Sequence, residues 1–227
     1  VVIFGESGSG KTTLLKLLKK ELSPHGKRKG QIFYDGVNLD DIEHRTSSSE
    51  IGYVMQNPDD QLVMDKVWHE LAFGLENIGL PPHVIRRRIG ETANFFGIHH
   101  WFHKKTTDLS GGQKQLLNLA SAMVMEPKVL LLDEPTSQLD PIAASDLMNT
   151  LQKLNRDLGL TIIMVEHRLE EALPLADQVM LMESGSLLFK ERAAVIGQRL
   201  KEISVHHKML DALPSAMRIF NGLDGKG

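Results

Sequence analysis

The feature that most constrains this chain is Gly5-Glu6-Ser7-Gly8-Ser9-Gly10-Lys11-Thr12. It lies between an apolar β-rich run, Val1 to Phe4, and a helical pattern carrying Leu14, Leu15, Leu17, Leu18 and Leu22. Strand, glycine loop and helix in that order demand an α/β layering in which backbone N–H groups at the loop and helix start converge on an anion. The glycines let the loop turn inward without Cβ clashes. The pattern is that of a phosphate-binding P-loop, with Gly5, Glu6, Ser7, Gly8, Ser9, Gly10, Lys11, Thr12 and Thr13 as the expected ATP cradle. Lys11 is expected to reach the β- and γ-phosphates, and Thr12 to offer its hydroxyl to Mg²⁺.

A complement occurs far along the chain. Val129-Leu130-Leu131-Leu132-Asp133-Glu134 reads as a buried strand that ends on two carboxylates. Asp133 is the expected Mg²⁺ partner, acting through water, and Glu134 the acceptor of a proton from attacking water.

Between these landmarks the pattern alternates. Gln31 to Leu39 reads as a hairpin turning at Asp35-Gly36, and Ile51 to Met55 as a short strand. From Pro58 to about Pro127 the pattern is mostly helical, broken at Gly79-Leu80-Pro81-Pro82 and over Lys104 to Gly112. Thr161 to Val165 and Gln178 to Met182 read as further buried strands, with helices over Ser145 to Asp157 and after Arg168. Such alternation predicts a mixed, largely parallel sheet core with an inserted helical subdomain at about 58–127. The main domain is expected over 1–190, and 191–227 as a helical extension or the start of a linker, with helices near Ala193 to Glu202 and Ala216 to Phe220.

Composition narrows the function classes. The 227 residues carry a formal charge of −3 and no cysteine, which excludes disulfides and thiolate metal sites and supplies no long-range attraction to nucleic acid. No apolar run approaches the ~18 residues needed to span a bilayer. The first residue is Val and no leader pattern opens the chain, so it is expected to be cut at its N-terminus, with upstream strands missing.

Leu109-Ser110-Gly111-Gly112-Gln113 resembles the signature of ABC-type ATPases, and the other landmarks of that family follow in order. Gln56 resembles the Q-loop glutamine, Ser137-Gln138-Leu139-Asp140 the D-loop, and His167 the switch histidine, over a resemblance running from Val1 to about Leu188. Met55-Gln56-Asn57-Pro58-Asp59-Asp60-Gln61, followed by Glu70-Leu71-Ala72-Phe73-Gly74, is similar to the energy-coupling-factor importers of vitamins and transition-metal ions. The resemblance implies an ATPase motor at the cytoplasmic face of the cell membrane, held peripherally by an integral membrane subunit and paired with a second ATPase domain. Glu134, His167 and Gln56 would be catalytic, and Thr12, Gln56 and Asp133 would hold Mg²⁺. Ser110, Gly111, Gly112, Gln113 and Asp140 would grip the ATP of the facing domain. The residues support this independently, because Ser110 is a good N-cap and opens a second helix suited to an anion.

Departures from the family pattern are Leu116 and Ser121 where many members carry arginine, Gln138 for a commoner alanine, and the absence of the upstream segment whose aromatic stacks on adenine in the family. A soluble ABC ATPase acting on ribosomes or another non-transport partner is the alternative, with a catalytically weak regulatory binder ranked third; the span from Gln56 to Ser110 is too short for the coiled coil of a DNA-repair member. His99, His100 and His103 read as a polar surface cluster, and Arg86-Arg87-Arg88 as a solvated helix face. Met123 and Met125 read as core. Trp68 and Phe73 are core candidates or, by the resemblance, part of a groove for the membrane partner.

Overall fold

The structure, a computed structural model, describes residues 1–203 and 213–214. The expected helix at Ala216 to Phe220 lies outside them. Eight strands are present among the described residues: β1 (Val2–Phe4), β2 (Phe33–Tyr34), β3 (Val37–Asn38), β4 (Ile51–Val54), β5 (Val129–Asp133), β6 (Thr161–Val165), β7 (Gln178–Glu183) and β8 (Ser186–Arg192). The helices are α1 (Lys11–Leu17), α2 (His44–Glu50), α3 (Val67–Asn77), α4 (Pro82–Phe95), α5 (Gly111–Met123), α6 (Pro141–Leu158), α7 (Leu169–Ala172) and α8 (Ile196–Ile203).

Six strands form one sheet in the order β4-β5-β6-β1-β7-β8, all parallel except for the antiparallel β7–β8 pair. Registers Val54↔Leu132, Asp133↔Val165 and Ile3↔Val165 bring the carboxyl ends of β4, β5, β6 and β1 level with one another. Loops leaving those four ends therefore rise side by side, which is where open α/β sheets hold ligands. The strands owe their places to continuous apolar runs: Val2, Ile3, Phe4 and Leu130, Leu131, Leu132 are all essentially inaccessible.

Two clusters cover the sheet faces, one including Phe4, Leu130, Leu151 and Val179, the other including Ile3, Leu15, Leu39 and Val165. A third joins α3, α4 and α5 around Leu71, Ile89, Trp101 and Leu117. Helix α5 belongs to both sides: Leu119 and Met123 face the sheet, while Leu117, Ala120 and Val124 face the other helices.

The hairpin β2–β3 turns at Asp35 and Gly36, both at positive φ (49° and 79°), as a two-residue primed turn requires. Three elements depart from the sequence reading. Helix α6 begins at Pro141 instead of Ser145, because Asp140 accepts hydrogen bonds from the N–H groups of Ile142 and Ala143 and proline suits the first helical position. Helix α2 is polar throughout, HRTSSSE, and so carries no apolar period to read. Strand β8 buries only Phe189 and so has no alternation to read, and the domain boundary expected between 190 and 191 falls inside it. Ala193, Ile196 and Leu200 then pack into the sheet's cluster.

Candidate active site

The glycine loop follows β1 as expected. Gly5 is fixed by a close approach: a Cβ there would lie 2.0 Å from the carbonyl oxygen of Met182 on β7. Gly10, at φ 92°, takes the left-handed conformation that turns the chain into α1. The Lys11 side chain folds back over this loop, and its Nζ donates to the carbonyl oxygens of Gly5 (3.0 Å) and Glu6 (2.7 Å) and to Ser9 Oγ (3.5 Å). Burial holds the Lys11 pKa below the usual lysine range, against the opposing pull of Glu134 and Asp133. The loop thus concentrates one cation, faced by two carboxylates, at the end of the central strand.

Asp133 and Glu134 divide the space above it. Asp133, 4% exposed, accepts from Thr12 Oγ1 (2.8 Å) at one oxygen and from the Tyr53 hydroxyl (3.1 Å) at the other. Burial, the Asp133 charge and that hydrogen bond all keep the Tyr53 phenol protonated. Glu134 turns away at φ 46°, a conformation non-glycine residues seldom adopt. Its carbonyl is pinned by the N–H and hydroxyl of Ser137, at 3.1 and 2.9 Å. Its carboxylate then spans two expected partners, Gln56 Nε2 at 2.7 Å on one oxygen and His167 Nε2 at 2.8 Å on the other. A carboxylate held at both oxygens, at the strand ends beside a phosphate cradle, is suited to accept a proton from water.

Thr12 and Asp133 make an oxygen-only pair that fits a hard cation such as Mg²⁺. No three His, Cys, Asp or Glu side chains converge on a metal position among the described residues. The donor set therefore fits an ion that takes most of its ligands from phosphate and water, as Mg²⁺ does.

The signature residues form a second group. Ser110 caps α5 in a reciprocal box, accepting from the Gln113 N–H (3.3 Å) while the Gln113 side chain accepts from the Ser110 N–H (3.0 Å). Gly111 and Gly112 follow without Cβ cover over the helix start. A Cβ at Gly112 would meet Ala143 at 3.3 Å, so this terminus lies against the start of α6, where Asp140 is the cap. The structure thus brings Ser110, Gly111, Gly112, Gln113 and Asp140 together at two adjoining helix N-termini.

A family model described as ABC transporter matches residues 1–137, more than half of the chain. The chain belongs to the ABC transporter ATP-binding family. This cassette is 48% identical over 224 residues to a putative ABC transporter ATP-binding protein of Bacillus thuringiensis subsp. konkukian, covering 99% of this chain and 41% of that protein. It therefore spans about two fifths of the length of that relative. It is 34% identical over 231 residues to an energy-coupling factor transporter ATP-binding protein of Clostridium perfringens, covering 100% of this chain and 79% of the relative. The solved structure of cbiO1 from Clostridium perfringens, part of the ABC transporter complex cbiONQ, superposes with a TM-score of 0.77 at 32% identity, covering 92% of this chain and 84% of that one. The dimeric ATP-binding cassette MJ0796, in a post-hydrolysis state bound to ADP and Pi, shares the fold at a TM-score of 0.73 and 24% identity, covering 85% of this chain and 84% of that one. Within the family, the cassette resembles the energy-coupling-factor ATPases.

Several residues of this ABC cassette escaped the sequence reading. Tyr53 carries a polar tip at a buried strand position, which in hindsight signals a partner. Thr136 and Glu166 are buried in the segments that follow β5 and β6. Gln61, read in the sequence only as part of the importer-like stretch, clasps the Gln56 segment, accepting from the Met55 N–H (2.8 Å) and donating to the Tyr53 carbonyl (3.2 Å). Helix α5 is tied to the same segment through Lys114–Asp59 (2.6 Å) and Asn118 Nδ2 to the Pro58 carbonyl (3.0 Å).

A cavity of about 690 Å³ opens behind that segment, lined in part by Lys19, Arg45, Tyr53, Glu70, Phe73 and Ser121. Phe73 belongs to it, whereas Trp68 packs edge-on against Phe102 at 5.2 Å in the helical cluster. Met123 is buried in the core and Met125 is partly buried at the cavity wall. Arg86 and Arg87 are exposed, but Arg88 pairs with Glu126 at 2.6 Å. His99, His100 and His103 are exposed. No helix among the described residues is long and apolar enough to cross a membrane.

Proposed function

We propose that this cassette binds Mg-ATP at Gly5 to Thr13 and hydrolyses it to drive a transporter of the energy-coupling-factor type. The observation that carries this reading is the Glu134 carboxylate held between Gln56 and His167 at 2.7 and 2.8 Å, beside the Lys11 loop. Water attacks the γ-phosphoryl group, Glu134 accepts its proton, and the bond to the β-phosphate oxygen breaks to leave ADP and phosphate. Lys11 exchanges its loop carbonyls for β- and γ-phosphate oxygens, and His167 and Gln56 hold Glu134 and the water in line. Thr12, Asp133 through water, and the free amide oxygen of Gln56 would hold Mg²⁺, which neutralises phosphate charge when bound.

The second group, Ser110, Gly111, Gly112, Gln113 and Asp140, serves the nucleotide of a facing ABC domain. Ser110 suits that task, because its hydroxyl accepts from Gln113 and keeps its own proton to donate. Residues of about 58–127 act as a helical lobe that carries this group, and the groove beside Phe73 receives an integral membrane subunit. That places the cassette peripherally at the cytoplasmic membrane face. The cargo class follows the energy-coupling-factor relatives, a vitamin or a transition-metal ion. A ribosome-acting role is not favoured, since the named relatives are transporter ATPases.

Glu134→Gln is expected to bind ATP normally and turn over at least ~10²-fold more slowly, the scale of a lost general base. Phosphate release measured beside equilibrium binding decides it, and near-normal hydrolysis removes Glu134 from this role. Lys11→Ala should instead lose affinity for the triphosphate itself.

A further inference from the structure

We propose that Glu166 is a positioning residue for hydrolysis, a buried clamp that ties the loop bearing Glu134 to the loop bearing His167; this rests on the hydrolytic reading above. Glu166 is 1% exposed at the end of β6, and among the described residues no cation pairs with it. Its carboxylate is satisfied entirely by neutral donors from two loops. One oxygen accepts from the N–H of Thr136 (3.2 Å) and from the Thr136 hydroxyl (2.5 Å). The other accepts from the N–H groups of His167 (2.8 Å) and Arg168 (3.3 Å).

A carboxylate buried without a cation is a costly way to fill core space, and an apolar side chain of similar volume would serve stability as well or better. The arrangement gains something else: a closed ring. Glu134 leads two residues on to Thr136, Thr136 bonds Glu166, Glu166 bonds the backbone of His167, and His167 Nε2 returns to Glu134 Oε1 at 2.8 Å. Two further anchors fix the ring to the sheet. The Glu166 N–H donates to the Ile3 carbonyl (3.1 Å), and the Glu134 N–H to the Val165 carbonyl (3.0 Å). With Glu134 in the left-handed region at φ 46°, its loop needs such outside support to stay in place. Both halves of the ring must hold for base and histidine to keep their spacing.

The test uses Glu166→Gln, Thr136→Val and the double variant in the complete assembly with its partner subunits, measuring kcat, KM, equilibrium ATP affinity and melting temperature. Glu166→Gln keeps the volume but turns a donor toward donors. It is expected to lower kcat on the order of 10- to 100-fold, the scale of a small misplacement at the reacting centre. ATP affinity should stay within about twofold, because no P-loop contact is touched. Thr136→Val should lower kcat in the same direction, and the double variant should fall within about twofold of Glu166→Gln alone, as linked members of one network do. Wild-type kcat in both single variants overturns the proposal, as do losses that multiply in the double variant or a parallel collapse of affinity and melting temperature. If Glu166→Gln does not fold, Thr136→Val alone decides by the same split between kcat and affinity. Glu134→Gln runs alongside: if it leaves turnover intact, the hydrolytic reading fails, and that failure is distinct from loss of the clamp.

Discussion

Asp140 holds two tasks that substitution can separate. In the folded chain its carboxylate oxygen accepts from the N–H of Ile142 at 2.9 Å and of Ala143 at 3.0 Å, satisfying two of the three donors left open at the start of α6, where Pro141 has none to offer. Loss of such a cap costs about 1 kcal/mol, within a range of roughly 0.5–2, and loss of the negative charge beside the helix start adds about 0.3–1 kcal/mol. Asp140 is exposed, so the low end of the charge contribution applies. Asp140→Ala should therefore cost about 1.3 kcal/mol in all, the sum of the central cap figure and that low end. For a chain of this size this corresponds to a melting temperature about 3–5 °C lower. Asp140→Ser keeps a capping oxygen and removes only the charge, so its melting temperature should fall by about 1 °C. Activity separates the tasks in the opposite way. If the carboxylate also serves the nucleotide of the facing domain, Asp140→Ser should lose ATPase activity in the full assembly while its helix stays capped. Thermal unfolding of the nucleotide-free protein, followed by circular dichroism, is read beside steady-state phosphate release. An unshifted melting temperature for Asp140→Ala refutes the capping argument, and wild-type turnover in Asp140→Ser refutes the trans assignment.

Two further predictions concern buried groups. Tyr53→Phe removes a hydrogen bond to the Asp133 carboxylate and should cost about 1.5–3 kcal/mol in a urea titration; an unchanged midpoint would mean that Asp133 does not need this donor. Burial raises the Glu70 pKa above its ordinary value of 4.5, even though the N–H groups of Val63 and Met64 pull the other way. An acid whose folded pKa is raised binds its proton more tightly when folded. Its contribution to stability therefore declines as pH rises from the ordinary value through the raised one. Measured as the difference between wild type and Glu70→Gln, stability should fall over that window, and a flat or rising difference would contradict the sign.

The parts of the site legible in the sequence share one property: each sits where a regular element stops. Gly5 follows a short apolar strand and Asp133 ends one, so strand reading located them, whereas His167 was located by the order of the family's motifs. Elements without such a signal went unread. The polar helix α2 is held by tertiary bonds, among them Lys19 Nζ to the carbonyl oxygens of Ser47 (2.9 Å) and Ile51 (2.6 Å), and no local period announces them. Strand β8 is an edge strand with Leu187 and Leu188 exposed, so its pattern lacks the buried face that marks β5 and β6.

What remained out of reach follows from register. Tyr53 meets Asp133 only because β4 pairs with β5 so that Tyr53 stands opposite Leu131, two residues before the acid that its long side chain reaches. Glu166 meets Thr136 only because Asp133 stands opposite Val165, which puts the loops after β5 and β6 at the same height. A shift of one residue in either pairing would turn Tyr53 to the other face or separate Thr136 from Glu166. Neither residue type is informative alone, since a tyrosine in a strand and a glutamate before a histidine are ordinary. The order of motifs thus carries the chemistry of the loops, while the pairing of strands carries their support. Mutations at Tyr53, Thr136 and Glu166 therefore test the sheet's part in catalysis separately from that of the groups expected to touch the nucleotide.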